Sequence, residues 1–192
     1  MNTQSKNPIA KLIGIKLAIF ILLIAGMFAL AKIPFGNSQD GSTIVYLVRH
    51  AEKITGENAG RDPQLTQAGK LRAQVLAELL RDKKINFVHS TDYIRTRDTA
   101  APLAALAGVE IEIYNPRDLE KLANHIKALG GRHLVVGHSN TTQEAAIALG
   151  SEATYPPINE AGEYDRLYKV QIKDEGVRTT LSRYGQRYTT AE

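Results

Sequence analysis

Residues 43–53 read TIVYLVRHAEK, and the rest of the chain is interpreted outward from this stretch. Its first half is a run of β-branched and apolar residues, the pattern of a strand buried on both faces. Arg49, His50 and Glu52 stand where that strand should end. Because a buried strand has no packing use for an arginine beside a histidine, the pair predicts a site for an anionic substrate at the carboxyl end of the strand.

Strand and helix patterns alternate after this stretch, which predicts an α/β fold, a three-layer α/β/α sandwich with a mostly parallel sheet. Further strands are predicted at residues 85–88, 110–114, 133–137, 165–172 and 177–183. Helices are predicted from Thr66 as N-cap to about Lys83, and at residues 95–107, 119–129 and 140–149. The leucines of these helices are interpreted as core residues.

The charge of the chain argues against nucleic-acid binding. The formal net charge is +4, from 24 basic and 20 acidic residues. Residues 1–33 contain four lysines and no acid, so the remaining 20 basic residues balance the 20 acidic ones. A domain without excess positive charge lacks the electrostatic basis of nucleic-acid binding. The chain has no cysteine, which excludes thiol chemistry, disulfides and thiolate metal sites.

The N-terminal residues 1–33 predict a membrane anchor or a signal peptide. Residues 17–31 are uncharged and mostly apolar, and residues 12–31 have Lys16 as their single charge. The preceding lysines predict a cytoplasmic N-terminus and a domain outside the cell membrane, on the periplasmic side. A signal peptide cleaved after Ala29-Leu30-Ala31, giving a secreted or periplasmic protein, is the alternative. Residues 34–42 are a turn-rich linker, and residues 43–188 form the domain.

Polar residues follow three of the predicted strands at the point where each ends. They are Arg49-His50, the segment from Ser90 to Arg95, and His138-Ser139-Asn140. Because the carboxyl ends of parallel strands meet at one edge of a sheet, we expect these residues to converge. Guanidinium groups match phosphate oxygens, and a neutral histidine can attack phosphorus. The sequence therefore predicts a site for phosphoryl chemistry.

Four motifs in this order resemble the histidine phosphatase superfamily, the phosphoglycerate-mutase-like group, and its small phosphatases in particular. They are Arg49-His50-Ala51-Glu52, where alanine replaces the usual glycine; Asp62, Leu65, Thr66 and Gly69; Ser90, Arg95, Thr99 and Ala100; and Val136-Gly137-His138-Ser139-Asn140.

The resemblance implies that His50 is a nucleophile that forms a phosphohistidine, and that Arg49, Arg95 and His138 surround the phosphate. It implies no metal and no other cofactor. The usual glutamate motif of the general acid is not matched, and Asp118 and Glu52 are the two candidates for that role. Asn140 either binds the substrate or caps the following helix. The remaining histidines are interpreted as structural or solvent-facing: His89, His125 and His133.

Several alternative functions are compared with a phosphatase. A serine hydrolase built on Ser139 is excluded because no histidine follows it in the chain. A metallohydrolase lacks a ligand motif such as His-Glu-x-x-His. A non-catalytic anion-binding module of the same fold stays open. A phosphoglycerate-mutase-type phosphotransferase is disfavoured because a domain of about 150 residues leaves little room for insertions that exclude water. A small phosphorylated substrate, such as a sugar or envelope glycan phosphate, is expected.

Overall fold

The computed structural model describes residues 41–188, which form one six-stranded sheet flanked by helices. The strands are β1 (Thr43–Arg49), β2 (Phe87–Ser90), β3 (Ile111–Ile113), β4 (Arg132–Gly137), β5 (Arg166–Lys173) and β6 (Gly176–Arg183). The helices are α1 (Gln67–Leu80), α2 (Ile94–Ala107), α3 (Leu119–Leu129) and α4 (Thr141–Ala148).

The strand order is β3-β2-β4-β1-β5-β6. The first four strands in this order run parallel, and β5 then pairs antiparallel with both β1 and β6. The predicted α/β fold with a mostly parallel sheet is therefore confirmed. The second strand begins at Phe87, two residues later than predicted, and Ile85 and Asn86 lie in the irregular segment before it.

The strand β1 separates two apolar layers. Ile44, Tyr46 and Val48 pack with buried residues of α1 and α2 on one face of the sheet. Val45 and Leu47 pack with α3 and α4 on the other face. Successive side chains of a strand point to opposite faces, so one continuous apolar run fills both layers.

The prediction that all leucines of α1 belong to the core is wrong. Leu76 and Leu80 are buried, but Leu71, Val75 and Leu79 are between 43% and 52% exposed. The buried side of α1 carries Ala73 and Ala77 beside these two leucines. Alanines on this side allow the helix to approach its neighbours closely, and the longer apolar side chains stand outside that contact.

The predicted anchor or signal peptide of residues 1–33, with most of the predicted linker, lies outside the described residues. Within residues 41–188, no helix combines the length and the apolar character needed to cross a membrane.

Candidate active site

The register of two neighbouring strands brings the two predicted histidines together. In the parallel pair of β1 and β4, Arg49 lies opposite Gly137. The next residue on each strand is a histidine, and the backbone N–H of His50 donates to the carbonyl of Gly137 at 2.9 Å. The two imidazole rings of His50 and His138 lie 5.8 Å apart, edge to face. The expected convergence of these two segments is therefore seen at the carboxyl end of the sheet.

The imidazole of His50 is held in one tautomer. Its Nδ1 lies 2.8 Å from the carbonyl oxygen of Ala51, which can only accept, so Nδ1 carries the proton. The other nitrogen, Nε2, is then unprotonated in the neutral ring. Burial lowers the pKa of His50 to about 3, an effect that the nearby Arg49 and Arg95 increase. A neutral ring with a free Nε2 is the form that can act as a nucleophile.

The imidazole of His138 is also neutral in the pocket. Burial first, and then Arg95 and Arg49, lower its pKa to about 4. Its Nε2 lies 3.0 Å from the hydroxyl of Thr91. That hydroxyl donates in turn to Thr96, whose own hydroxyl donates to a backbone carbonyl. Because the Thr91 hydroxyl already donates its hydrogen to Thr96, it can only accept from His138, and Nε2 of His138 is therefore the donor.

The guanidinium of Arg49 is mostly bound to protein. Its two terminal nitrogens donate to three carbonyl groups of the segment 159–163, at 2.9 to 3.2 Å. The Tyr164 ring lies 4.1 Å from the guanidinium carbon. Only Nε is buried without a hydrogen-bond partner. Arg49 therefore ties a distant loop to the end of β1.

Arg95 lies in the first turn of α2 with its guanidinium over the Tyr93 ring, 4.4 Å from the ring centre. The carboxylate of Asp62 accepts hydrogen bonds from the backbone N–H of Ile94. It also lies 3.5 Å from the guanidinium of Arg95. The Nε of Arg95 is buried without a hydrogen-bond partner. Asp62, a motif residue, thus fixes the start of the helix that carries Arg95.

Other motif residues support the backbone that follows His50. The hydroxyl of Thr99 accepts from the backbone N–H of Ala51 at 2.9 Å. Thr66 caps α1 and its backbone N–H donates to the carbonyl of Glu52 at 2.9 Å. A Cβ on Gly69 would stand 2.2 Å from that same carbonyl oxygen. Only glycine allows α1 to approach so closely.

The two carboxylates expected to serve as general acid point elsewhere. Asp118 caps α3 by accepting from the backbone N–H of Lys121 at 3.2 Å. Glu52 forms a bidentate ion pair with the buried Arg72, with its shortest contact at 2.7 Å. Neither residue lines the pocket that contains the histidines. Each carboxylate is held by its own structural partner, so the geometry does not bring either to the reaction centre.

The pocket has a volume of about 520 Å³. Of the predicted residues it contains Arg49, His50, Arg95, His138 and Asn140. Asn140 makes no side-chain capping hydrogen bond to α4. Ser139 of the fourth motif also lines the pocket. The lining residues that were not predicted as site residues are Lys53, Thr55, Tyr93, Pro116, Arg117, Thr141, Glu160, Ala161 and Tyr164. Glu160 and Tyr164 belong to no sequence motif. They reach the pocket because they precede β5, which pairs antiparallel with β1.

The remaining histidines lie outside this pocket. His89 and His133 are buried with their ring nitrogens 2.9 Å apart, and His133 also bonds to the carbonyl of Gly130. His125 is exposed and lies 3.2 Å from Glu112, which also faces His89 at 3.3 Å. Within residues 41–188, no group of three or more histidine or carboxylate side chains is arranged to hold a metal ion.

Comparison with known proteins agrees with this site. Residues 45–120 match the family model of the histidine phosphatase superfamily, branch 1. The phosphoglycerate mutase-like protein 4 of Arabidopsis thaliana is 33% identical over 153 residues, which are 75% of this chain and 61% of that protein. The chain thus spans less than two thirds of this curated relative.

Solved structures share the fold at low identity. The protein histidine phosphatase SixA, complexed with tungstate, has a TM-score of 0.58 at 17% identity over 73% of this chain and 95% of that one. A mycobacterial glucosyl-3-phosphoglycerate phosphatase has a TM-score of 0.56 at 14% identity, over 74% and 98% of the two chains. The family model, the four motifs and the paired histidines in one pocket all support the histidine phosphatase superfamily.

Proposed function

We propose that the domain is a metal-independent phosphatase that hydrolyses phosphomonoesters through a phosphohistidine on His50. One observation carries the proposal. The pocket brings an unprotonated imidazole nitrogen together with the guanidinium groups of Arg49 and Arg95, each of which has a buried Nε–H without a hydrogen-bond partner among residues 41–188. Buried donors of this kind are normally satisfied, so they support a site for an anion.

In the first step, Nε2 of His50 attacks phosphorus while the bond to the leaving oxygen breaks. The leaving oxygen keeps the electron pair of that bond and takes a proton from solvent. The hydrogen bond from Nδ1–H to Ala51 fixes the lone pair of Nε2 in place and stabilises the positive charge that develops on the ring. Because the pKa of His50 is lowered to about 3, the nucleophile is in its reactive form throughout the neutral range.

Positive charge around the phosphate stabilises the transition state. Arg49 and Arg95 contribute this charge, since both guanidinium groups belong to residues that line the pocket. His138 is neutral in the free pocket, because burial and the two arginines lower its pKa to about 4. A phosphate dianion offsets the repulsion from the two arginines, so binding favours a second proton on His138.

The substrate class follows from the shape and charge of the pocket. A volume of about 520 Å³ exceeds what a phosphate alone needs, and leaves room for a leaving group the size of a sugar. Lys53 and Arg117 line the pocket beside the predicted arginines. These features support a small phosphorylated metabolite, such as a sugar or envelope glycan phosphate, as the substrate.

The test uses the purified full chain and an aryl phosphate in the presence of a chelator. We expect hydrolysis, inhibition by vanadate, and an acid-labile phosphohistidine on quenching. His50→Ala should trap no phosphate and lose most of its turnover, while His125→Ala, which changes a histidine outside the pocket, should keep both. Activity that chelator abolishes and a divalent ion restores would overturn the metal-independent mechanism.

The same experiment separates two other functions. A phosphotransferase of the mutase type, which the name of the Arabidopsis relative favours, would transfer the phosphoryl group to an added phosphoglycerate faster than to water. An anion-binding module would bind vanadate without any turnover. Release of inorganic phosphate at a rate independent of added acceptor is the result expected for a phosphatase.

A further inference from the structure

Glu160 is the one acidic residue among those that line the pocket in the described part of the chain. It lies in the segment between α4 and β5, and its side chain is exposed to solvent. No motif marks this residue. Its position makes it the carboxylate with access to whatever the pocket binds.

Two contacts hold Glu160 over the site. Its backbone carbonyl accepts a hydrogen bond from Nη2 of Arg49 at 2.9 Å. Its carboxylate accepts a hydrogen bond from the hydroxyl of Ser139 at 2.5 Å. Ser139 directly follows His138, so the carboxylate is tied to the same loop that carries the second histidine.

The segment that carries Glu160 is itself well anchored. The carboxylate of Glu163 is buried, pairs with Arg166, and accepts from the backbone N–H of Asn159 at 2.9 Å. The side chain of Asn159 accepts from the backbone N–H of Ala161. These bonds on both sides of Glu160 give its carboxylate a defined place at the mouth of the pocket.

The surroundings of Glu160 suit a base rather than an acid. The other charged residues that line the pocket are cationic: Arg49, Lys53, Arg95 and Arg117. The carboxylate of Glu160 already acts as an acceptor, for the hydrogen bond that Ser139 donates. A carboxylate in this position can also accept the proton of an attacking water molecule.

We propose that Glu160 is the general base that activates water in the second step, the hydrolysis of the phosphohistidine. The proposal rests on the function proposed above. As water attacks, the new O–P bond forms, its proton passes to the Glu160 carboxylate, and the P–N bond breaks with its electron pair returning to Nε2 of His50. Inorganic phosphate leaves, and Glu160 releases the proton to solvent. Ser139 is a positioning residue that orients the carboxylate.

A burst experiment with Glu160→Gln tests this role, because the amide keeps the size of the side chain but cannot accept the proton. With an activated aryl phosphate, the first turnover should keep its rate, and the steady state should slow by on the order of 10²–10³-fold. The variant should release about one equivalent of aryl alcohol per active site in the burst, and should accumulate phosphohistidine. Ser139→Ala should show the same pattern more weakly.

Two controls make the result decisive. Glu152→Gln changes an exposed glutamate of the same connecting segment that does not line the pocket, and should behave as the wild type. Glu160→Asp should recover part of the steady-state rate. Unchanged turnover in Glu160→Gln, or an equal loss in both phases without phosphohistidine, would overturn the role of Glu160. A wild-type protein that turns over without forming phosphohistidine would instead overturn the proposed function.

Discussion

Two arginines at the start of α2, Arg95 and Arg97, differ in their surroundings although only Thr96 lies between them. Arg95 has a side chain that is 14% exposed, lines the pocket and keeps a buried Nε–H without a partner. Arg97 pairs with Asp92 on the surface and does not line the pocket. A buried donor that faces a developing charge contributes far more than an exposed ion pair.

We therefore expect Arg95→Ala to lower kcat/KM for an aryl phosphate by on the order of 10²–10³-fold. Arg97→Ala should stay within about twofold, as expected for an exposed pair. Arg95→Lys should recover little, because an ammonium group cannot reproduce the planar set of donors. Equal losses in Arg95→Ala and Arg97→Ala would show that the loss comes from α2 as a whole and not from the pocket.

The residues that the sequence revealed are those whose chemistry conflicts with packing. Arg49 and His50 end a strand that should be apolar, and His138 follows another such strand. Glu160 gave no such signal, because a glutamate in a loop is ordinary and its neighbours in space come from distant parts of the chain. The hydrogen bonds of Arg49 to the backbone of residues 159–163 could not be predicted for the same reason, since those residues are distant in the sequence.

At the scale of elements, α1 offers a comparison between two leucines of one helix. Leu76 is fully buried and Leu79 is 46% exposed. Leu76→Ala should lower the free energy of unfolding by about 2–5 kcal/mol, since it removes packed atoms and leaves a cavity. Leu79→Ala should cost less than about 1 kcal/mol.

Urea unfolding of the two variants at pH 7.5 measures this difference directly. A similar cost for both substitutions would mean that the exposed side of α1 is covered in solution, for example by a second copy of the chain. In that case the apparent stability of the wild type should also rise with protein concentration.

Helical periodicity could locate α1 but not its buried side. The apolar residues of this helix spread over more than one face, and the sheet selects the face that carries alanines beside Leu76 and Leu80. The alternation of strands and helices was a stronger signal, since it fixed the parallel part of the sheet. The order of the strands depends on long-range pairing that no local pattern encodes.

For the molecule as a whole, buried titratable groups link stability to pH. The pKa values of His50 and His133 are lowered to about 3, in both cases mainly by burial, from an ordinary value of 6.5. A hydrogen bond with His89 is the main cause that lowers the pKa of Glu112 to about 2, from 4.5. Each group therefore binds a proton more readily in the unfolded chain than in the folded one.

All three groups make the folded protein less stable as the pH falls. The histidine contributions are complete above about pH 6.5 and are lost as the pH falls towards 3. The contribution of Glu112 is complete above about pH 4.5 and is lost as the pH falls towards 2. We expect the free energy of unfolding to decrease steadily below pH 6.5, with the carboxylate adding to the decrease only in stronger acid.

His50→Ala tests this linkage because it removes one histidine from the balance. The slope of the free energy of unfolding against pH, measured by urea unfolding between pH 4.5 and 7.5, gives the number of protons taken up on unfolding. At pH 5 that number should fall by about one relative to the wild type, whereas Arg97→Ala, which changes no group that titrates in this range, should leave it unchanged. A His50→Ala protein with the wild-type slope would mean that His50 titrates in the folded protein as it does in the unfolded chain, and the neutral nucleophile on which the mechanism depends would have to be abandoned.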